Sequence, residues 1–162
     1  MAKQIPIEHL REPLLKCLEE TFSNVNGIYL DKGTTLFETL GSVTAEEASE
    51  KIGPSSANIA AQVEHLRFYL DVLDEYMRTN DVPKVNWREI WETIDAVTPD
   101  EWEKIKTRLR DSHAVVMSTI NDLDKWEGSN DVAGGAMSIL THTAYHLGGI
   151  RMTLGVIRGK SS

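Results

Sequence analysis

The sequence has a single cysteine, Cys17, among its 162 residues. An internal disulfide and a cysteine-rich zinc site each need more than one, so both are excluded. Cys17 falls in the apolar pattern of Leu14, Leu15 and Leu18, which favours a small core side chain over a reactive thiol. The scarcity of cysteine and an N-terminal segment without the apolar stretch of a signal peptide predict a cytoplasmic protein.

Basic residues are also fewer than acidic residues. Lysine and arginine total 17 against 25 aspartates and glutamates, which leaves a formal net charge of -8. Proteins that bind nucleic acids or anionic membranes present basic surfaces, so we expect neither partner. No apolar run approaches the roughly 20 residues that a transmembrane helix needs. The length and the composition predict one domain over residues 1–162 that is large enough to bury a core.

Convincing strand patterns are absent, whereas apolar residues recur at helical spacing in four long segments. The first is predicted to open at Pro13 and to stop at Asn26-Gly27. The other long helices are predicted at about residues 56–79, from Thr98 to Leu123 and at about residues 130–158, with short helices at about residues 34–40, after Thr44 and around residues 85–91. The pattern predicts an all-α fold, a four-helix bundle with long crossover connections and short extra helices.

Two histidines near the end of the sequence, His142 and His146, stand one helical turn apart. Their i, i+4 spacing places both imidazoles on one face of a helix. A third, His65, lies beside the apolar stripe of the second long helix. If the two helices are neighbours the three rings converge, and three protein ligands with an open position are typical of catalytic metal sites. Three core histidines, each with one hydrogen bond, are the alternative interpretation.

Imidazole ligands favour zinc, nickel, copper or iron(II) over magnesium or calcium. The second N–H of a ligating histidine normally donates to a polar neighbour, and the nearby candidates are Gln62, Tyr69, Thr141 and Tyr145. No general acid or base is evident, and the His-Glu-x-x-His motif of metalloproteases is absent. His113, on the third long helix, could be a fourth ligand or a catalytic base, but a histidine at the rim of the core or within it, satisfied by a neighbour, is the simpler interpretation.

Together these features resemble the DinB-like (DinB/YfiT) superfamily. The resemblance rests on the histidine within residues 63–70, the His-Thr-Ala-Tyr-His-Leu-Gly run at residues 142–148, residues 86–91 and the Glu101-Trp102 pair. It covers nearly the whole chain. It implies a four-helix bundle with an unusual connection order, usually a homodimer, and one divalent metal, often nickel or zinc. Carried onto this chain, the implied ligands are His65, His142 and His146.

Characterised members of that superfamily often use low-molecular-weight thiols, which implies a metal-dependent enzyme that transfers a thiol cosubstrate to small electrophiles. An open three-histidine site suits this chemistry, because a divalent ion converts a bound thiol to a thiolate nucleophile. The same ion acidifies bound water, so a metal-dependent hydrolase is one alternative. A bundle that binds a metal or a ligand without catalysis is another. The sequence indicates no catalytic residue beyond the three ligands.

Overall fold

The computed structural model describes residues 5–81, 84–122, 126 and 131–160, without the side chains of residues 89, 90 and 92. The regular elements in these ranges are helices, and no strand occurs in them, which confirms the predicted all-α class. In chain order they are α1 (Glu8–Phe22), α2 (Leu36–Gly41), α3 (Ala45–Ser49), α4 (Ile59–Thr79), α5 (Trp87–Thr93), α6 (Pro99–Asn121) and α7 (Val132–Lys160).

Helix α1 begins earlier than the sequence predicts. It starts at Glu8 and contains Pro13 in its interior, so the prediction that Pro13 opens this helix was wrong. The backbone N–H groups of residues 9–11 donate to the carbonyls of Pro6 and Ile7 and start the helix before the proline. Proline removes one backbone donor, and Pro13 is exposed, so water can bond the carbonyl that loses its partner.

A buried carboxylate determines the path of the chain after α1. The Glu20 side chain is fully buried, and its oxygens accept hydrogen bonds from the backbone N–H groups of residues 26 and 28–30 at 2.6–3.0 Å. Burial raises the pKa of this carboxyl, but the N–H donors outweigh burial and lower the pKa to about 2. The turn includes Gly27 at a φ of 74°, a conformation that favours glycine. Helix α1 therefore ends at Phe22, ahead of the predicted stop.

Side-chain caps set the starts of the following helices. The capping boxes predicted at Thr44 and Thr98 are both formed. Helix α4 is capped by Asn58, whose Oδ1 accepts the N–H of Ala61 at 2.8 Å, so it begins after the predicted start at residue 56. The predicted helix end at Leu123 and the predicted helix start at residue 130 lie outside the described residues.

The long helices pack around one apolar core. Helix α4 packs against both α6 and α7, and α1 packs against α7. Arg11 and Phe22 of α1 also contact Asn121 and His113 of α6. Helix α5 lies against α4, so the connection that carries it is attached to the core helices, as predicted. The largest fully buried side chains are Leu18, Phe22, Leu36, Leu40, Ile59, Leu66, Leu70, Met77, Trp102, Leu109, Ile120 and Ile139.

A search of the described ranges for a membrane-spanning helix finds none that combines the required length with the required apolar character.

Candidate metal centre

The three histidines meet where α4 and α7 pack side by side. His65 comes from α4, and His142 and His146 come from successive turns of α7. One ring nitrogen of each residue lies within 4.8 Å of the other two, and the Nε2 atoms of His65 and His142 are 3.0 Å apart. These three residues could therefore hold a metal ion.

The donor set fits a transition metal. Two nitrogens bound to a tetrahedral zinc ion at about 2.0–2.1 Å are about 3.4 Å apart, close to the observed Nε2 separation. Among the residues that the structure describes, no carboxylate or thiol joins the group. Glu64, adjacent to His65 in sequence, instead pairs with Arg67 and Arg108. A set of imidazoles alone suits zinc, nickel, copper or iron(II).

Burial keeps the histidines in the neutral form that metal ligands require. It lowers the pKa of His65 to about 4, and the neighbouring His142 adds to this effect. It likewise lowers the pKa of His146 to about 4, with contributions from the other two rings. Burial also lowers the pKa of His142. At neutral pH each ring can therefore offer a lone pair to a cation.

Aromatic rings hold the histidines in place. Trp91 stacks on His65 with ring centroids 4.3 Å apart, and Trp87 contacts His65 edge-on at 5.7 Å. Tyr69 stacks on His142 at 3.8 Å. The Nδ1 atom of His65 is buried, and no hydrogen-bond partner for it exists in the described part of the chain. Stacking therefore orients a ring that a hydrogen bond usually orients.

The two tryptophans are site residues that the sequence analysis did not assign. Their i, i+4 spacing was the available signal, since it places both side chains on one face of α5. The spacing alone does not predict which part of the protein this face of α5 packs against. The packing of α5 against α4 directs it towards the histidines.

The four predicted polar neighbours of the ligands take other positions. Gln62 lines a cleft beside His146. Thr141 donates to carbonyls of its own helix, and Tyr69 acts through its ring. Tyr145 is 77% exposed and meets the edge of the His146 ring at 5.3 Å. In this arrangement none of the four forms a hydrogen bond with a ligand ring.

His113 lies apart from the three-histidine group. Its ring packs against Phe22 and Phe37, with centroids 4.3 and 5.3 Å away. Its Nε2 atom is buried without a hydrogen-bond partner among the described residues, and burial lowers its pKa to about 4. This placement matches the predicted position at the core and does not make His113 a fourth ligand, but the predicted neighbour that would satisfy its ring nitrogen is not found among the described residues.

A cleft of about 330 Å³ opens beside His146, the one histidine of the three that lines it. Its walls include His146 and Gly149 of α7, Gln62 of α4 and Trp91 of α5. A larger cleft of about 520 Å³ lies between α4 and residues 84–93, but none of the three histidines lines it. The smaller cleft is therefore the candidate route to the metal centre.

Comparison of this chain with family models, with curated proteins and with solved structures gives no match. The interpretation of the site therefore depends on its geometry and on the motifs described above.

Proposed function

We propose that this protein is a divalent-metal-dependent enzyme of the DinB-like type that activates a low-molecular-weight thiol for S-transfer to small electrophiles. The observation that carries the proposal is the convergence of His65, His142 and His146 as neutral imidazoles with an adjoining cleft. The all-helical fold with four long helices is consistent with the same family.

The three histidines would hold the ion, and zinc or nickel suits them best. When bound, a divalent ion with three neutral ligands supplies a positive charge that lowers the pKa of a thiol. Trp91 and Tyr69 keep the ligand rings in fixed orientations by stacking. Three protein ligands would leave a coordination position free for a substrate, and the cleft lined by His146 adjoins the histidine group.

The surroundings of the centre favour a thiol over water as the nucleophile. Hydrolytic metal sites commonly place a general base within hydrogen-bond reach of the nucleophile. No carboxylate of the described residues joins the histidine group, and Glu64 is already paired with two arginines. A thiol requires no such base once its pKa falls below the working pH.

We expect the metal-free protein to bind one equivalent of Zn²⁺ or Ni²⁺, and His146→Ala to lose that equivalent while it keeps its helical fold. Removal of one of three ligands leaves a two-nitrogen site, which holds these ions weakly. Calorimetric titration and elemental analysis after gel filtration measure this. The matched control is His9→Ala, which removes an exposed imidazole from α1. Full metal occupancy in His146→Ala would contradict the three-histidine assignment.

The wild type, His146→Ala and His9→Ala are also used to test the proposed thiol-transfer activity. Each is incubated with cysteine or glutathione and an electrophile such as 1-chloro-2,4-dinitrobenzene, and the loss of free thiol is followed over time. We expect metal-dependent consumption in the wild type and in His9→Ala, and none above background in His146→Ala. Metal-dependent ester hydrolysis without thiol consumption would replace the proposal with a hydrolase. A large fall in melting temperature on chelation, with no turnover of either kind, would replace it with a structural metal.

A further inference from the structure

The cleft beside His146 has a size and a lining that fit a small organic molecule. Its volume of about 330 Å³ lies within the range of small-molecule sites. Trp91 and Tyr145 give it aromatic walls, and Gln62 and Thr153 add polar groups. None of its described lining residues is an aspartate, glutamate, lysine or arginine. In a chain with 26% charged residues, this cleft is an uncharged surface.

Gln62 places an amide side chain in the wall of the cleft. Its side chain is half-buried, and its carboxamide takes part in none of the hydrogen bonds between the described residues. A carboxamide offers both a donor and an acceptor. The Oε1 atom lies over Gly149, because a Cβ added at Gly149 would be 3.2 Å from it. A ligand beside His146 can therefore reach the carboxamide.

Gly149 keeps the cleft open. It is exposed on α7, and a side chain at this position would project into the space beneath Gln62. The neighbouring Gly148 is equally exposed but does not line the cleft, and a Cβ added there meets nothing within 4 Å. The two adjacent glycines therefore form a matched pair, since only one of them borders the cleft.

We propose that this cleft binds the electrophilic substrate and selects small, uncharged molecules that carry a planar unsaturated group next to a carbonyl or an amide. The planar group packs against Trp91, and the carbonyl or amide bonds Gln62. In the metal-free protein a charged ligand would lose hydration without gaining a partner of opposite charge among the residues that line the cleft. The inference rests on the proposed function for the role of the ligand as substrate, but binding in the cleft requires no metal.

Benzamide is the probe, with benzoate and benzylamine as its charged counterparts. Binding is measured by ligand-observed NMR titration of the metal-free full-length protein, so that benzoate cannot bind through a metal ion. We expect benzamide to bind wild type and Gly148→Leu equally, and Gly149→Leu at least about tenfold more weakly because leucine fills the cleft. Gln62→Leu should weaken benzamide about three- to tenfold through the lost hydrogen bond. Benzoate and benzylamine should bind at least about tenfold more weakly than benzamide.

The inference is overturned if benzamide does not bind, if Gly149→Leu leaves the affinity for benzamide unchanged, or if benzoate or benzylamine binds as tightly as benzamide. Both glycine variants should fold, since leucine has a higher helix propensity than glycine, and circular dichroism checks this. Metal uptake is measured on the same samples and should be equal in all of them. A wild type that binds benzamide as expected but takes up no metal would refute the proposed function and leave the cleft assignment intact. Normal metal uptake without benzamide binding would refute the cleft assignment and leave the proposed metal centre intact.

Discussion

The five histidines of this chain have three different roles because their surroundings differ. His9 is exposed on α1. His113 packs between two phenylalanine rings, and burial lowers its pKa to about 4. His65, His142 and His146 meet at one point, where stacking orients two of them and burial keeps them neutral. The neighbours contributed by other helices, and not the imidazole itself, set each role.

Acid should destabilise the folded protein through His113. In the unfolded chain its pKa returns to about 6.5, whereas in the folded protein it is about 4. Above about pH 6.5 both states are neutral and stability does not depend on this group. As the pH falls from about 6.5 to 4 the unfolded chain binds a proton that the folded protein does not, so the free energy of unfolding falls, by about 2–3 kcal/mol in total.

His113→Phe removes this titration and also a buried nitrogen without a partner. We expect the difference in unfolding free energy between variant and wild type to grow in favour of the variant by about 2 kcal/mol between about pH 7 and about pH 4.5. Urea unfolding of the metal-free proteins measures it, with His9→Ala as the exposed-histidine control. A constant difference across this range would show that His113 titrates normally in the folded state.

At the scale of the helices, local sequence and tertiary packing share the control of where each element begins. The capping box at α6 is local: Thr98 and Glu101 each bond the backbone of the other, at 3.3 and 2.8 Å. The path after α1 is not local, since it depends on a buried Glu20 that collects N–H donors from a later turn. Asp74 is similar, because this buried carboxylate of α4 accepts from Thr119 of α6 at 2.5 Å.

Thr98→Ala should lower the free energy of unfolding by about 1 kcal/mol, because the N-terminus of α6 loses its side-chain acceptor. Thermal or urea unfolding at neutral pH measures the effect. Thr107→Ala, at an exposed position inside the same helix, is the control. It should leave stability unchanged or raise it slightly, since alanine has the higher helix propensity. Equal losses in the two variants would mean that the cap contributes nothing specific.

At the scale of the whole molecule, α7 differs from the rest of the chain. It contains no aspartate or glutamate, although the sequence has 25 of them. Met152 and Val156 are exposed along its C-terminal half, the first at 72%. The homodimer implied by the family resemblance stays a prediction, and this half of the helix is a surface on which two copies could meet without acidic repulsion.

We expect the protein to sediment as a dimer and Met152→Lys to shift it towards the monomer, because a charge would then enter the apolar contact. Analytical ultracentrifugation at several concentrations measures this. Val115→Lys is the control, since Val115 is an exposed apolar residue of α6. A wild type that is monomeric at all concentrations would remove the dimer from the proposal, and equal dissociation by both variants would place the contact elsewhere.

The sequence by itself determined the all-helical class, the capped starts at Thr44 and Thr98, and the three histidines as one candidate group. Periodicity, capping and i, i+4 spacing are local properties, so they can be read along the chain. Tertiary structure alone decided that α4 and α7 are neighbours, that α5 lays Trp87 and Trp91 against His65, and that an uncharged cleft opens beside His146. It also decided which charged residues are buried, such as Glu20 and Asp74. These features depend on contacts between residues far apart in sequence, which no local pattern specifies.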